Sequence, residues 1–104
     1  MIDAYSANIK RVYWYVFAGT RGGLTRIKII ELLKNRPYNI NQLSEELKMD
    51  YKTIQHHIKT LEDNKIITYE EKKYGTMYFT SQLFNQYMPV YEEIREKLKG
   101  KEKK

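Results

Sequence analysis

Residues 39–65, Asn39-Ile-Asn-Gln-Leu-Ser-Glu-Glu-Leu-Lys-Met-Asp-Tyr-Lys-Thr-Ile-Gln-His-His-Ile-Lys-Thr-Leu-Glu-Asp-Asn-Lys65, decide the fold. They read as a short helix, a tight turn and a longer helix. Asn41 is placed to cap the first, which runs to about Lys48 with Leu43 and Leu47 inward. Asp50 is the N-cap of the second, its carboxylate set to accept from the free amides of the first turn. That helix spans Tyr51 to about Asp63, and Ile54, Ile58 and Leu61 form its core stripe. Two helices joined in this way are the usual device for setting the second one in the DNA major groove.

Working outward, residues 4–18 carry Tyr5, Ile9, Val12, Tyr13, Val16 and Phe17 at helical spacing. Gly19 to Gly23 break that helix. A second helix is expected from Leu24 to Asn35, with Leu24, Ile27, Ile30 and Leu33 inward and Pro37 as its stop. Ile40 suits a short strand. Lys65–Glu71 and Met77–Thr80, around the glycine-containing turn 72–76, read as a β-hairpin, with 66–80 as the wing. A last helix runs from about Leu83 to Leu98 and restarts at Pro89, a residue suited to a first turn. The expected architecture is mainly α with a small β-hairpin: one winged helix-turn-helix domain over residues 1–104. It divides into an N-terminal helix (1–19), a winged-helix core (24–80) and a C-terminal helix (83–99).

The chain of 104 residues has a formal charge of +6, is 41% hydrophobic and contains no cysteine. Disulfides and thiolate metal sites within the chain are therefore excluded, which fits a cytoplasmic protein. No apolar stretch approaches the ~20 residues needed to cross a bilayer. The run Val12–Ala18 is too short, and no signal-peptide cleavage pattern follows it. A positive balance favours a polyanionic partner. Residues 10–28 carry Lys10, Arg11, Arg21, Arg26 and Lys28 with no acid among them, whereas the lysines of the tail read as a frayed, solvated end.

At about 100° per residue, Lys52, Gln55, His56 and Lys59 fall opposite the stripe of helix 51–63. Glutamine pairs with adenine, and lysine donates to guanine or to phosphate. Tyr51 and Thr53 flank the helix N-terminus, where hydroxyls and free amides hold phosphate. His57 lies beside Ile54 and Leu61 and reads as a half-buried structural histidine. The pair His56-His57 points about 100° apart and does not chelate one ion well, so no metal is expected. Lys72, Lys73, Tyr74 and Thr76 at the hairpin tip suit a phosphate backbone or a minor groove. Arg21 and Arg26 are either phosphate contacts or plain surface charges.

Ten tyrosines are many for this length. Tyr87, Tyr91, Ile94 and Leu98 make a seam near the heptad period. Trp14 and Tyr15 add a second apolar side to the first helix. Together with Tyr5, Ile9, Val12, Tyr13, Val16 and Phe17, this predicts a homodimer interface, the bland alternative being that both terminal helices pack on their own domain.

Three stretches, Arg21-Gly-Gly-Leu-Thr-Arg-Ile-Lys-Ile-Ile-Glu-Leu-Leu33, Pro37-Tyr-Asn-Ile-Asn-Gln-Leu43 and Asp50-Tyr-Lys-Thr-Ile-Gln-His-His-Ile-Lys-Thr-Leu-Glu62, resemble ArsR-like winged-helix transcriptional regulators, in particular the cysteine-free kind frequent in archaea. The resemblance covers about residues 20–80. It implies a homodimeric regulator of double-stranded DNA, often a repressor, with Lys52, Thr53, Gln55, His56 and Lys59 facing DNA. The metal-sensing members carry paired cysteines in or near the first helix of the helix-turn-helix. Here that segment is Gln42-Leu-Ser-Glu-Glu-Leu47, so soft-metal sensing does not carry over to it. The competing reading is a winged-helix docking module that contacts proteins rather than DNA. No nucleophile–base spacing, phosphate-binding glycine loop or metal-ligand cluster is visible, so neither an enzyme nor a cofactor is expected.

Overall fold

The computed structural model describes residues 4–102. Its elements follow in the order α1 (Ala4–Phe17), α2 (Gly23–Leu33), α3 (Ile40–Leu47), α4 (Tyr51–Asp63), β1 (Ile67–Lys72), β2 (Gly75–Thr80), α5 (Gln82–Gln86) and α6 (Met88–Glu102). This is a winged helix-turn-helix fold with an added helix on each side.

The helix-turn-helix is built from local caps. Asn39, not Asn41, starts α3. Its side chain accepts from the Gln42 amide at 2.8 Å, and the Gln42 side chain accepts in return from the Asn39 amide at 2.9 Å. This reciprocal capping box satisfies two otherwise free donors. It also overrides the strand expected at Ile40, which becomes the first residue of the helix. What survives of a third strand is one bridge, in which Tyr38 and Tyr78 exchange backbone hydrogen bonds of 3.1 and 2.8 Å. Asp50 caps α4 as expected.

The hairpin turns through Lys73 and Tyr74, with Lys72 opposite Gly75. Gly75 has φ 116°, a backbone state that favours a residue without Cβ. The cross-strand pair Tyr69–Tyr78 stiffens the wing, with ring centroids 6.1 Å apart. Ser81 ties the base of the wing to the end of α4: its hydroxyl donates to the Lys65 carbonyl at 2.7 Å and accepts from the Phe84 amide at 3.0 Å, opening α5. The final helix does restart near Pro89, at Met88.

Beneath these elements lies one core. Leu43, Ile54, Ile58, Leu61 and Ile66 fill the helix-turn-helix side. Tyr13, Phe17, Phe84 and Tyr91 fill the other, with centroids 4.9–6.4 Å apart. Burial pushes the Tyr13 phenol up to about 12. Tyr91 reaches the rim of the core, where its hydroxyl donates to Glu31 at 2.6 Å. Arg95 and Lys34 donate to the same carboxylate at 2.9 and 3.3 Å, joining α6 to α2.

Two sequence expectations change here. In α2 the buried residues are Gly23, Arg26, Ile29, Ile30 and Leu33, while Leu24 is 49% exposed. The helix is turned so that an arginine faces inward. Gly23 allows this close docking: a Cβ there would lie 2.2 Å from the Phe17 carbonyl oxygen. The expected dimer seam is also mostly spent inside the chain. Ile9, Tyr13, Val16, Phe17, Tyr91 and Ile94 are buried in the core, and Val12, Tyr87 and Leu98 pack half-buried against it. The reason is that α1 and α6 lie against each other, with Phe84 of α5 packed between Tyr13, Phe17 and Tyr91, so each covers the apolar stripe of the other. Among the described residues, no helix is long and apolar enough to cross a membrane.

Candidate nucleic-acid interface

The apolar stripe of α4 fixes which side chains face out. With Ile54, Ile58 and Leu61 buried, Lys52, Gln55, His56 and Lys59 are exposed together on the opposite side. Tyr51 is exposed beside them at the N-terminus. Lys59 pairs with Asp63 at 3.3 Å, both well exposed, so the pair contributes little and can exchange for a phosphate. The face thus offers two ammonium groups, an amide and an imidazole on a rigid helix.

Thr53 differs from its expected role. Its hydroxyl donates to Asp50 Oδ1 at 2.6 Å, and its amide donates to Asp50 Oδ2 at 3.3 Å. These bonds hold the Asp50 carboxyl below the usual carboxylate range. The hydroxyl proton and the amide of Thr53 are therefore committed to the cap and do not point to a phosphate.

Arg26 departs further. It is 4% exposed, with Nε donating to the Val16 carbonyl at 2.9 Å, Nη1 3.1 Å from His57 Nδ1, and Nη2 donating to the Thr20 hydroxyl. It is an interior residue, not a phosphate contact. Its partner His57 is buried, as its place beside the apolar stripe predicts. Arg21 stays exposed in the loop between α1 and α2.

At the wing tip, Lys72, Lys73 and Tyr74 are exposed, Tyr74 by 70%. Lys72 pairs with Glu70 at 3.3 Å, while Glu71 accepts from the Thr76 hydroxyl at 3.0 Å. Lys73 is consequently the freer cation of the tip. Between wing and helix runs an open groove of about 400 Å³, lined by Asn39, Asn41, Tyr51, Gln55, Tyr74 and Thr76, among others. It brings together the predicted residues Tyr51, Gln55, Tyr74 and Thr76, and adds Asn41. Asn41 was assigned to the cap; the signal that frees it is the spacing Asn39-x-x-Gln42, which marks the true cap two residues earlier. Among the described residues, no group of histidines and carboxylates is placed to hold a metal ion.

With this geometry in place, comparisons with known proteins locate the fold. Residues 24–69 match the family model described as bacterial regulatory protein, arsR family. This segment, under half of the chain, is similar to the ArsR-family helix-turn-helix. The match spans α2 to the start of the wing, including every residue of the outer face of α4. No curated protein matches the chain. Solved structures with the same fold include M. tuberculosis Rv0081, at 12% identity and TM-score 0.69 over 99% of this chain and 100% of that one. The reduced form of the transcriptional regulator YodB from B. subtilis follows at 18% identity and TM-score 0.65, covering 92% and 90%. Reduced HlyU from Vibrio cholerae has 15% identity and TM-score 0.63, covering 88% and 87%. At such identities the structural likeness speaks for the fold. The likeness of residues 24–69 to the arsR family is what supports a DNA-binding transcriptional regulator.

Proposed function

We propose that this protein is a sequence-specific regulator of double-stranded DNA, acting as a homodimeric repressor. In this reading α4 enters the major groove, and the wing follows the phosphate backbone. The observation that carries it is the outer face of α4: Lys52, Gln55, His56 and Lys59 are exposed together on a helix whose other side is locked into the core. Gln55 is the candidate base reader, Lys52 and Lys59 serve guanine or phosphate, and Lys73 serves the backbone. No enzymatic activity, cofactor or metal belongs to this reading, and the place of action is the cytoplasm.

The dimer contact moves to the outer side of α1. Trp14 and Tyr15 stay 40% and 59% exposed there, and Trp14 lines a shallow hollow with Ala7, Lys10 and Arg11, while Tyr5, 54% exposed, meets Tyr87 edge-on. Large aromatic groups left exposed on one helix favour a second copy as cover. A two-fold axis then sets two α4 helices roughly 34 Å apart on a pseudo-palindromic site.

The test is binding to the DNA upstream of the protein's own gene and to a scrambled duplex, over a salt series. Tight, sequence-dependent binding with a steep negative salt slope supports the proposal. No binding even at low salt shifts the weight to a protein-docking role. Sedimentation of the Trp14→Glu variant reports separately on the dimer: a fully dimeric variant removes the α1 assignment.

A further inference from the structure

We infer that His57, on the inner side of α4, is a neutral hydrogen-bond acceptor that seats the DNA-reading helix on the buried Arg26, so that acid loosens this seat and weakens DNA binding. The DNA part rests on the function proposed above; the seat itself does not.

The chemistry of the pair leaves one arrangement. Arg26 is 4% and His57 7% exposed, and Arg26 Nη1 lies 3.1 Å from His57 Nδ1. A guanidinium only donates. Nδ1 must therefore present its lone pair, which places the ring hydrogen on Nε2. A proton added at Nδ1 would set N–H against N–H and a second cation beside the first. Nothing nearby would offset it. Arg26 is otherwise met by the Val16 carbonyl of α1 and the Thr20 hydroxyl, and among the described residues no carboxylate forms an ion pair with Arg26 or His57.

The titratable groups facing the pair are Tyr15 from α1, which acts on Arg26, and His56 from α4 itself, its ring centroid 5.6 Å from that of His57. Nor can the ring turn away freely. A Cβ on Gly22 would lie 2.6 Å from His57 Cε1 and 2.7 Å from Arg26 Nη1, so the loop between α1 and α2 closes directly over the pair. Burial first, and then the guanidinium, push the imidazole below the ordinary histidine range.

The sign follows by linkage. The released imidazole takes up a proton more readily than the seated one. The seat is complete above the ordinary histidine range, about pH 6.5, and is lost as pH falls below it. His57 follows directly on His56 in the chain, so a loosened seat alters how the reading face is held.

The chain has two histidines, which makes the test clean. The variants His56→Gln and His56→Gln with His57→Asn are compared; asparagine offers an acceptor near the Nδ1 position and does not titrate. Thermal unfolding and operator binding are followed between about pH 7.5 and about pH 5.5. The single variant should lose stability on acidification and bind DNA at least about fivefold more weakly, the low end of ordinary coupling. The double variant should stay flat in both. Imidazole nitrogen NMR on the wild-type chain should show the Nε2–H tautomer for His57. An Nδ1–H tautomer, or parallel stability profiles for the two variants, overturns the seat. Diverging stability with an unchanged ratio of DNA affinities overturns its link to binding. Diverging stability with no DNA binding by the wild-type chain at any pH upholds the seat and overturns the proposed function.

Discussion

Around α1, α5 and α6 the interior is aromatic, with Tyr13, Phe17, Phe84 and Tyr91 meeting edge to face and tilted. Around α3 and α4 it is aliphatic, with Leu43, Ile54, Ile58 and Leu61, and the imidazole of His57 is the one ring among the buried residues of these two helices. The exteriors differ as well. On α6 several charges are paired: Arg95 bridges Glu92, Glu96 and, across to α2, Glu31, and Lys97 meets Glu93. On α4 the outer amide and imidazole form no hydrogen bond to protein, and one lysine, Lys59, has an exposed partner. One end of the molecule pairs several of its charges, although Tyr13 Oη and Arg95 Nε lie buried without a partner among the described residues, while the other holds its polar groups out on a rigid frame. This contrast separates the residues that stabilise the protein from those available to a ligand.

The contrast breaks most visibly at Phe17. Truncation to alanine opens the aromatic cluster and should cost about 3–5 kcal/mol, read by denaturant unfolding. A loss near zero would mean that the terminal helices are not part of the cooperative core. Gly23→Ala comes next. Its Cβ would meet a backbone oxygen, which cannot swing aside, so α1 and α2 must separate at a cost of about 1–3 kcal/mol.

Gln55→Ala tests the opposite end. Stability should change by no more than about 0.5 kcal/mol, whereas discrimination between operator and mutated duplex should fall by about 1–3 kcal/mol. A destabilised Gln55→Ala protein with intact discrimination would reverse the assignment. The smallest effect is expected at Glu31. Burial opposes its ionisation, but hydrogen bonds from Tyr91, Arg95 and Lys34 outweigh it and hold the carboxyl below its usual range. The resulting stability is present above the ordinary carboxylate range and is lost as pH falls through the lowered value. Because the side chain is 39% exposed, Glu31→Gln should cost only about 1 kcal/mol or less. Comparing unfolding at neutral and acidic pH checks the sign: wild type and variant should converge in acid.

Several features could be read directly from residues. Ile54, Ile58 and Leu61 on one side of α4 placed Lys52, Gln55, His56 and Lys59 on the other, because a helix has one period. Asp50 announced its cap, and Pro89 the restart of the last helix. Arg26 misled for a physical reason: a charged residue is normally solvated, and what buries it is a carbonyl of α1, a hydroxyl of the α1–α2 loop and an imidazole of α4. Thr53 misled because one hydroxyl serves equally well in a cap or on a phosphate. The capping box at Asn39 was legible by its spacing, yet it competes with Asn41, which has the same chemistry.

By itself the sequence determined the helix-turn-helix, the wing and the polar side of α4, since periodicity, caps and turns are short-range properties. Only the tertiary structure decided who covers whom. The aromatic stripes of α1 and α6 read equally as an interface between copies or as one interior, because apolar burial is non-directional. Their packing in three dimensions spends Tyr13, Phe17, Tyr91 and Ile94 within the chain, leaves Tyr5, Trp14 and Tyr15 outside, and brings His57 of the reading helix against a buried arginine.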